Sequence, residues 1–330
     1  MEDISRPLLD WYRRHARPLP WRENVTPYRV WVSEIMLQQT RIEAARGYFE
    51  RFMAAFPDVE ALAAADADTV MKLWEGLGYY SRARNLHACA KRIAAEYGGQ
   101  FPSAAEELRR LPGIGDYTAG AIASIAFGQK APAVDGNVVR VLTRLERCGD
   151  NPLDEKLKAR YRSELAEIYP EEACGEFTSA LMELGETVCT PGTPDCAGCP
   201  IASLCAAHAA GEESAYPVMP AKKPRRREDR RVLLMICGDT AAVRKRPDKG
   251  LLAGLWEFPN DLEREAPAGG CPCGEAVHVF THVEWHMTGY VLNVSEPLPG
   301  YTWVTRAERL ALAMPSAFRY YMGVLEEMGL

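Results

Sequence analysis

The chain has 330 residues, 47% of them apolar and 25% charged, a globular composition whose length predicts two domains. No run approaches the roughly 18 apolar residues a membrane helix needs, and residues 1–17 are charged throughout with no apolar signal core, so a soluble cytoplasmic protein with no membrane partner is expected. Ten cysteines then read as thiols and metal ligands rather than a disulfide framework. The net charge of −6 is not that of a typical nucleic-acid binder, yet local distribution governs contact with phosphates. Basic residues do cluster, at Arg82, Arg84, Lys91 and Arg92 and again at Arg140, Arg144 and Arg147.

Residues 1 to about 210 read as a string of helices. Pro27 precedes an apolar-periodic run to Thr40, residues 42–56 repeat the pattern, and 66–75 and 82–97 follow after short turns. In the first run Glu34 shares a helical face with Val30, Trp31 and Leu37. Apolar neighbours desolvate a carboxylate and raise its pKa, which suits a general acid. Leu111-Pro112-Gly113-Ile114-Gly115 joins two helices. Its glycines let the backbone turn tightly, and the N–H groups of the following helix start suit a phosphate. Asp135 precedes a helix beginning near Gly136, where it can cap N–H groups and remain anionic. Two carboxylates in such different surroundings suggest an acid and an anionic stabiliser, the pair that cleavage through an oxocarbenium-like state needs.

Cys189, Cys196, Cys199 and Cys205 have the spacing C-x6-C-x2-C-x5-C, in turn-rich sequence that can aim all four at one centre. Four thiolates hold either an iron–sulfur cluster or structural zinc, although zinc ribbons usually show two C-x2-C knuckles and only one occurs here. Cys89, Cys148, Cys174, Cys237, Cys271 and Cys273 need no special role. Residues 222–231 are almost wholly charged, with Pro217, Pro220 and Pro224 nearby, and read as a basic linker. Beyond it, residues 232–237, 277–280 and 289–294 are β-branched or alternating runs typical of strands. A helical part of about 220 residues is thus followed by an α+β part of about 100.

The cysteine spacing resembles the [4Fe–4S] loop of the endonuclease III superfamily of DNA glycosylases. Leu111–Gly115, followed by Tyr117-Thr118-Ala119-Gly120 and Val134-Asp135-Gly136-Asn137, resembles the helix–hairpin–helix of that superfamily. Within it, Leu19-Pro20-Trp21-Arg22, residues 33–40, residues 76–86 and Asp135-Gly136-Asn137-Val138 resemble the adenine DNA glycosylase family, the MutY type, over nearly the whole chain. The resemblance implies a mainly α helix–hairpin–helix glycosylase domain over 1–221. Its six-helix barrel would occupy about 22–130, and its iron–sulfur region would combine the N-terminal segment with about 131–221. It implies a monomer acting in base excision repair, cytoplasmic and nucleoid-associated in use. Its substrate would be double-stranded DNA carrying adenine opposite 8-oxoguanine or guanine.

Endonuclease III-type enzymes place a nucleophilic Lys where this chain has Tyr117; a tyrosine cannot form the imine, so the resemblance implies a monofunctional enzyme. Carried over by position, Glu34 would protonate the flipped adenine and activate water, Asp135 would stabilise the sugar cation, and Tyr117 and Asn137 would orient these groups. Trp21, Arg22 and Leu37 would line the base pocket. Gln39, Thr40, Tyr79, Gly113 and Gly115 would contact DNA.

Residues 232–330 resemble the Nudix-related C-terminal domain of these enzymes through Arg246-Pro247 and Gly250–Pro259, and Thr281-His282 stand in its 8-oxoguanine-sensing loop. The acidic helix that ligates magnesium in working Nudix enzymes is missing after Pro259, so a recognition module is expected rather than a nucleotide pyrophosphohydrolase. A redox protein built around the cluster, the remaining alternative, leaves the two carboxylates without a task.

Overall fold

A computed structural model of the chain describes residues 3–221, 223–263 and 265–330. Two compact units divide it, Met1–Ala64 with Asn85–Ala221 and Ala65–Arg84 with Lys222–Leu330. In chain order the helices are α1 (Ser5–His15), α2 (Pro20–Glu23), α3 (Pro27–Leu37), α4 (Ile42–Ala55), α5 (Val59–Ala64), α6 (Ala67–Leu73), α7 (Ser81–Tyr97), α8 (Ala105–Leu108), α9 (Asp116–Phe127), α10 (Gly136–Glu146), α11 (Glu155–Ile168), α12 (Cys174–Thr187) and α13 (Ala206–Ala210).

Local chemistry fixes the starts of the helices that matter for the site. Thr26 caps α3 by accepting from Arg29 N–H at 3.2 Å, with Pro27 as first helical residue. Asp135 caps α10 through Val138 N–H at 2.8 Å. Helix α9 is built from small residues and is buried from Thr118 to Ser124, as befits a helix apolar all round. Its neighbours come close: a Cβ on Gly120 would lie 2.6 Å from the Pro132 carbonyl oxygen, and one on Gly175 of α12 would lie 2.8 Å from Ile125 Cα. Only glycine fits at such approaches. Helices α1, α10, α11 and α12 enclose a core around Tyr161, Phe177, Leu181 and Leu184, against which Cys189, Cys199 and Cys205 pack. Burying each large side chain contributes about 1.5–3 kcal/mol.

The second unit holds β1 (Arg226–Cys237), β2 (Thr240–Lys245), β3 (Trp256–Glu257), β4 (Asn260–Asp261), β5 (Cys271–Val279), β6 (Val283–Asn293) and β7 (Thr302–Thr305), then α14 (Arg306–Ala311) and α15 (Arg319–Glu327). The sheet order is β3-β2-β1-β6-β5, with β4 on β1 and β7 on β2. Strands β1 and β6 run parallel from Arg226 opposite Val283 to Ile236 opposite Asn293. One face of the sheet buries Val232, Leu234, Phe258 and Trp285 against Phe318, Tyr321 and Leu325. Among the described residues no helix lies between β4 and β5, where a Nudix metal helix would be needed.

Two boundaries differ from the sequence reading. The linker expected over 222–231 is strand from Arg226 onward. Backbone pairing with β6 is indifferent to side-chain polarity, and alternation puts opposite charges on one face: Arg226 and Arg230 both pair with Glu228, and Arg227 pairs with Asp229. The segment Ala65–Arg84, expected within the helical domain, packs instead with the sheet. There Lys72 Nζ donates to Leu312 O at 3.0 Å, Met314 N–H donates to Glu75 at 2.8 Å, and Lys245 pairs with Asp68 at 2.6 Å.

Candidate active site

Helices α3, α9, α10 and α12 border an open cleft of about 1650 Å³. Glu34, on α3, lines it and is 6% exposed. Burial pushes its carboxyl up to about 7, against the lowering effect of a hydrogen bond that Tyr117 Oη donates to Oε2; Asp135 and Glu186 nearby push it further up. Tyr117 sits in the first turn of α9, and burial beside Glu34 raises its own hydroxyl well above the ordinary range. Asp135 lies in the same cleft. Burial raises its carboxyl too, opposed by Val138 N–H and by Asn137 Nδ2, which donates at 2.9 Å. The two carboxyls are therefore both raised, rather than moved apart as the sequence suggested. What distinguishes them is the donors: the Val138 and Asn137 N–H groups and the Asn137 side chain favour the anion of Asp135, whereas among the described residues the tyrosine is the hydrogen-bond donor to Glu34.

Asn137 is held in turn. Its Oδ1 accepts from Arg140 Nη2 at 2.8 Å, and the same guanidinium donates to Gly185 O at 2.7 Å and Cys189 O at 2.8 Å. Gly185 is required here, because a Cβ would lie 2.7 Å from Asn137 Cβ. Behind the cleft residues of α12 lies Glu183, 1% exposed. Burial works against its charge, but bonds from Arg17 and Arg22 more than offset this and hold its carboxyl below the usual range.

The four cysteines follow α12. Cys199 is within electrostatic reach of Cys189, Cys205 and Cys196, so the thiols share one neighbourhood. Arg144, 2% exposed, donates to Cys189 Sγ at 3.3 Å and to the Thr190, Glu213 and Tyr216 carbonyls at 2.9, 2.8 and 3.0 Å. A buried guanidinium bonded to carbonyls and one sulfur suits a centre of net negative charge, which four thiolates around a metal core supply. Cys196 also lies with His208 and Glu213, their ligand atoms within 4.8 Å of one another. His208 bonds Glu213 at 2.6 Å at the surface, which satisfies that pair locally; the four thiols are the better donor set.

The HhH-GPD superfamily of base excision DNA repair proteins matches residues 32–167, which include Glu34, the hairpin and Asp135, and a NUDIX domain matches residues 231–323. The chain is 36% identical to the adenine DNA glycosylase of Rattus norvegicus, over 96% of this chain and 78% of that one. It is likewise 36% identical to that of Homo sapiens, over 96% and 73%. The chain belongs to the adenine DNA glycosylases. It is a DNA-binding hydrolase of base excision repair, a helix–hairpin–helix domain joined to a Nudix-like one. A thermostable thymine-DNA glycosylase superposes with a TM-score of 0.57 at 27% identity, over 63% of this chain and 95% of that one. Endonuclease III in a non-covalent complex with DNA gives 0.53 at 24%, over 63% and 96%, a likeness of fold.

Nine of the residues singled out in this glycosylase's sequence line one cleft: Trp21, Arg22, Glu34, Leu37, Gln39, Thr40, Tyr117, Asp135 and Asn137. Trp21 packs edge-on to Phe49 at 5.4 Å, and Gln39 takes a left-handed backbone with φ 58°. In the hairpin Gly113 has φ 74° and approaches Asn85, while Gly115 is extended and caps α9. Tyr79 and Thr281 meet in the second unit, where Tyr79, at φ 47°, places its hydroxyl 3.1 Å from Thr281 Oγ1. His282 is exposed, its carbonyl accepting from Arg226 N–H at 3.1 Å. Sequence reasoning missed Arg17, Arg140, Met182, Glu183, Gly185 and Glu186. For Met182 and Glu186 a signal was present in α12, where Ser179, Met182 and Glu186 recur at helical spacing and all line the cleft.

Proposed function

We propose that this glycosylase is monofunctional and hydrolyses the N-glycosidic bond of adenine mispaired with 8-oxoguanine or guanine in double-stranded DNA. One observation carries the reading: a buried carboxyl, Glu34, keeps its proton up to about pH 7 and is bonded by a tyrosine where imine chemistry would need an amine. Adenine would be flipped into the cleft between Trp21, Arg22 and Leu37, at an unstacking cost of a few kcal/mol. Gln39, Thr40 and Tyr79 would offset part of that cost, and N–H groups at Gly113 and Gly115 would hold a phosphate. Glu34 gives its proton to the base, and the glycosidic electron pair leaves with the adenine. Asp135, steadied by Asn137, faces the sugar cation. Water adds to that cation and returns a proton to Glu34, leaving an abasic site. Thr281 and His282 would read the 8-oxoguanine.

Cys189, Cys196, Cys199 and Cys205 would hold a [4Fe–4S] cluster, which supplies structural coordination of the loop. The enzyme would work as a monomer, in the cytoplasm at the nucleoid. The test is one defined duplex with adenine opposite 8-oxoguanine, assayed with and without alkali. Adenine release with strand breakage only after alkali is expected, and Glu34→Gln should abolish release while leaving binding. Breakage without alkali would contradict the role of Tyr117, and normal release by the variant would remove Glu34 from the chemistry.

A further inference from the structure

The cleft holds a carboxylate with no part in the chemistry above. Glu186 lies in the last turn of α12 and lines the cleft with Glu34 and Asp135. It differs from Glu183, one turn earlier. Glu183 accepts from Arg17 N–H, Nε and Nη2 and from Arg22 Nη2, whereas among the described residues Glu186 accepts from Arg17 Nη2 alone, a guanidinium it must share. Its side chain keeps 30% of its surface, against 1% for Glu183. Negative charge is therefore incompletely neutralised at Glu186, on the wall that meets Asn137 through Gly185.

We infer that Glu186 is a tuning residue of the excision reaction, whose negative charge holds the proton on Glu34 and extends excision to higher pH. Among the charged and titratable groups that face Glu34 and Glu186, the carboxylates act in that direction, while Arg22 and the hydrogen bond from Tyr117 act against it. From α1 and the segment after it come Tyr12 and Arg17, from α2 Arg22, and from α9 Tyr117; α10 presents Asp135 and Arg140, and α12 itself Glu183. Arg41 and Glu43 border the cleft at the start of α4. Arg17 and Arg22 are engaged by Glu183, Arg140 bonds Asn137 and two carbonyls, Arg144 bonds three carbonyls and Lys158 pairs with Glu155, so these five cations are already committed. Glu186 and Asp135 both act on Glu34 in the direction that favours its protonated form. Burial raises the carboxyl of Glu186 itself, opposed by the bond from Arg17, so its negative charge grows as the pH rises, in the direction of the basic limb.

The inference rests on Glu34 being the acid, and the experiment separates the two. Single-turnover adenine excision from the 8-oxoguanine duplex is measured from pH 5.5 to 9 for the full chain, Glu186→Gln, Glu186→Asp and Glu34→Gln, with thermal melting as a check on folding. Removing the charge should move the midpoint of the basic limb down by roughly half a unit, which at pH 8.5 is a rate about threefold below that of the full chain when each is normalised to its own plateau. Glu186→Asp should restore most of the shift. A midpoint that does not move in Glu186→Gln, or one that moves equally in Glu186→Asp, would overturn the inference. Normal excision by Glu34→Gln would instead sink the reading on which it stands.

Discussion

Replacing Glu34 by Gln should make the protein more stable at pH 8 while removing its activity. Glu34 is 6% exposed, and its carboxyl rises from 4.5 to about 7 on folding, chiefly through burial. Each unit is worth about 1.36 kcal/mol, so ionised Glu34 strains the fold by roughly 3 kcal/mol, an upper figure because the cleft is open to water. A carboxyl whose folded pKa exceeds its unfolded one binds its proton more tightly when folded. Below the ordinary value the cost is absent, it grows as the pH rises through the window from 4.5 to about 7, and above that it is fully present. Glutamine is neutral, nearly isosteric, and can still accept from Tyr117. Urea denaturation of both proteins at pH 8 and 5.5 should show the variant more stable by about 1–3 kcal/mol at pH 8, with less than half of that at pH 5.5. A thermal midpoint higher by roughly 3–10 °C at pH 8 is the same expectation. Equal or lower stability at pH 8, or an advantage independent of pH, would refute the claim that burial of this carboxyl is a strain held by the surrounding fold.

The same proton predicts the activity profile: single-turnover excision should fall about tenfold per unit above pH 7, and a flat rate to pH 9 would exclude Glu34 as the acid. Gly185→Ala would press a methyl to 2.7 Å from Asn137 Cβ and should cost about 1–3 kcal/mol of stability. It should slow excision more than it weakens DNA binding, as single-turnover rates beside gel-shift affinities would show. Arg144→Met would strip the Cys189 sulfur and three carbonyls of a buried donor, so the purified variant should carry clearly less iron and sulfide per chain, and unchanged iron would count against that role. Loss of the cluster should weaken DNA binding more than the fold of the helical core, measured by affinity alongside circular dichroism.

Local pattern carried much of this protein. Glu34 was legible because apolar neighbours at helical spacing imply burial, Asp135 because an aspartate before a helix caps it, and the four cysteines because their spacing is unequal and turn-rich. Partnerships across the chain were not legible. Arg17 meets Glu183 from 166 positions away, and nothing near either residue announces the other. The charged run at 226–231 misled because solubility and strand pairing are separate properties, and only the partner strand decides between them. The grouping of Ala65–Arg84 with the sheet was hidden for the same reason, since two of its bonds end on Leu312 O and Met314 N–H, backbone groups that every sequence has, and its side-chain partners Lys245 and Thr281 lie far along the chain.

Helix α12 explains why charge and core coexist in this cleft. One face buries Phe177, Leu181 and Leu184 against α1, α10 and α11, and that burial is strong enough to carry polar groups that would not stay buried by themselves. The cleft face presents Ser179, Met182 and Glu186, Glu183 anchors the two arginines, and Gly185 leaves room for Asn137, which a Cβ there would crowd. The helix then runs directly into Cys189, whose carbonyl receives Arg140 and whose sulfur receives Arg144. A change in the cysteine loop therefore has a short physical route to Asp135, through Arg140 and Asn137.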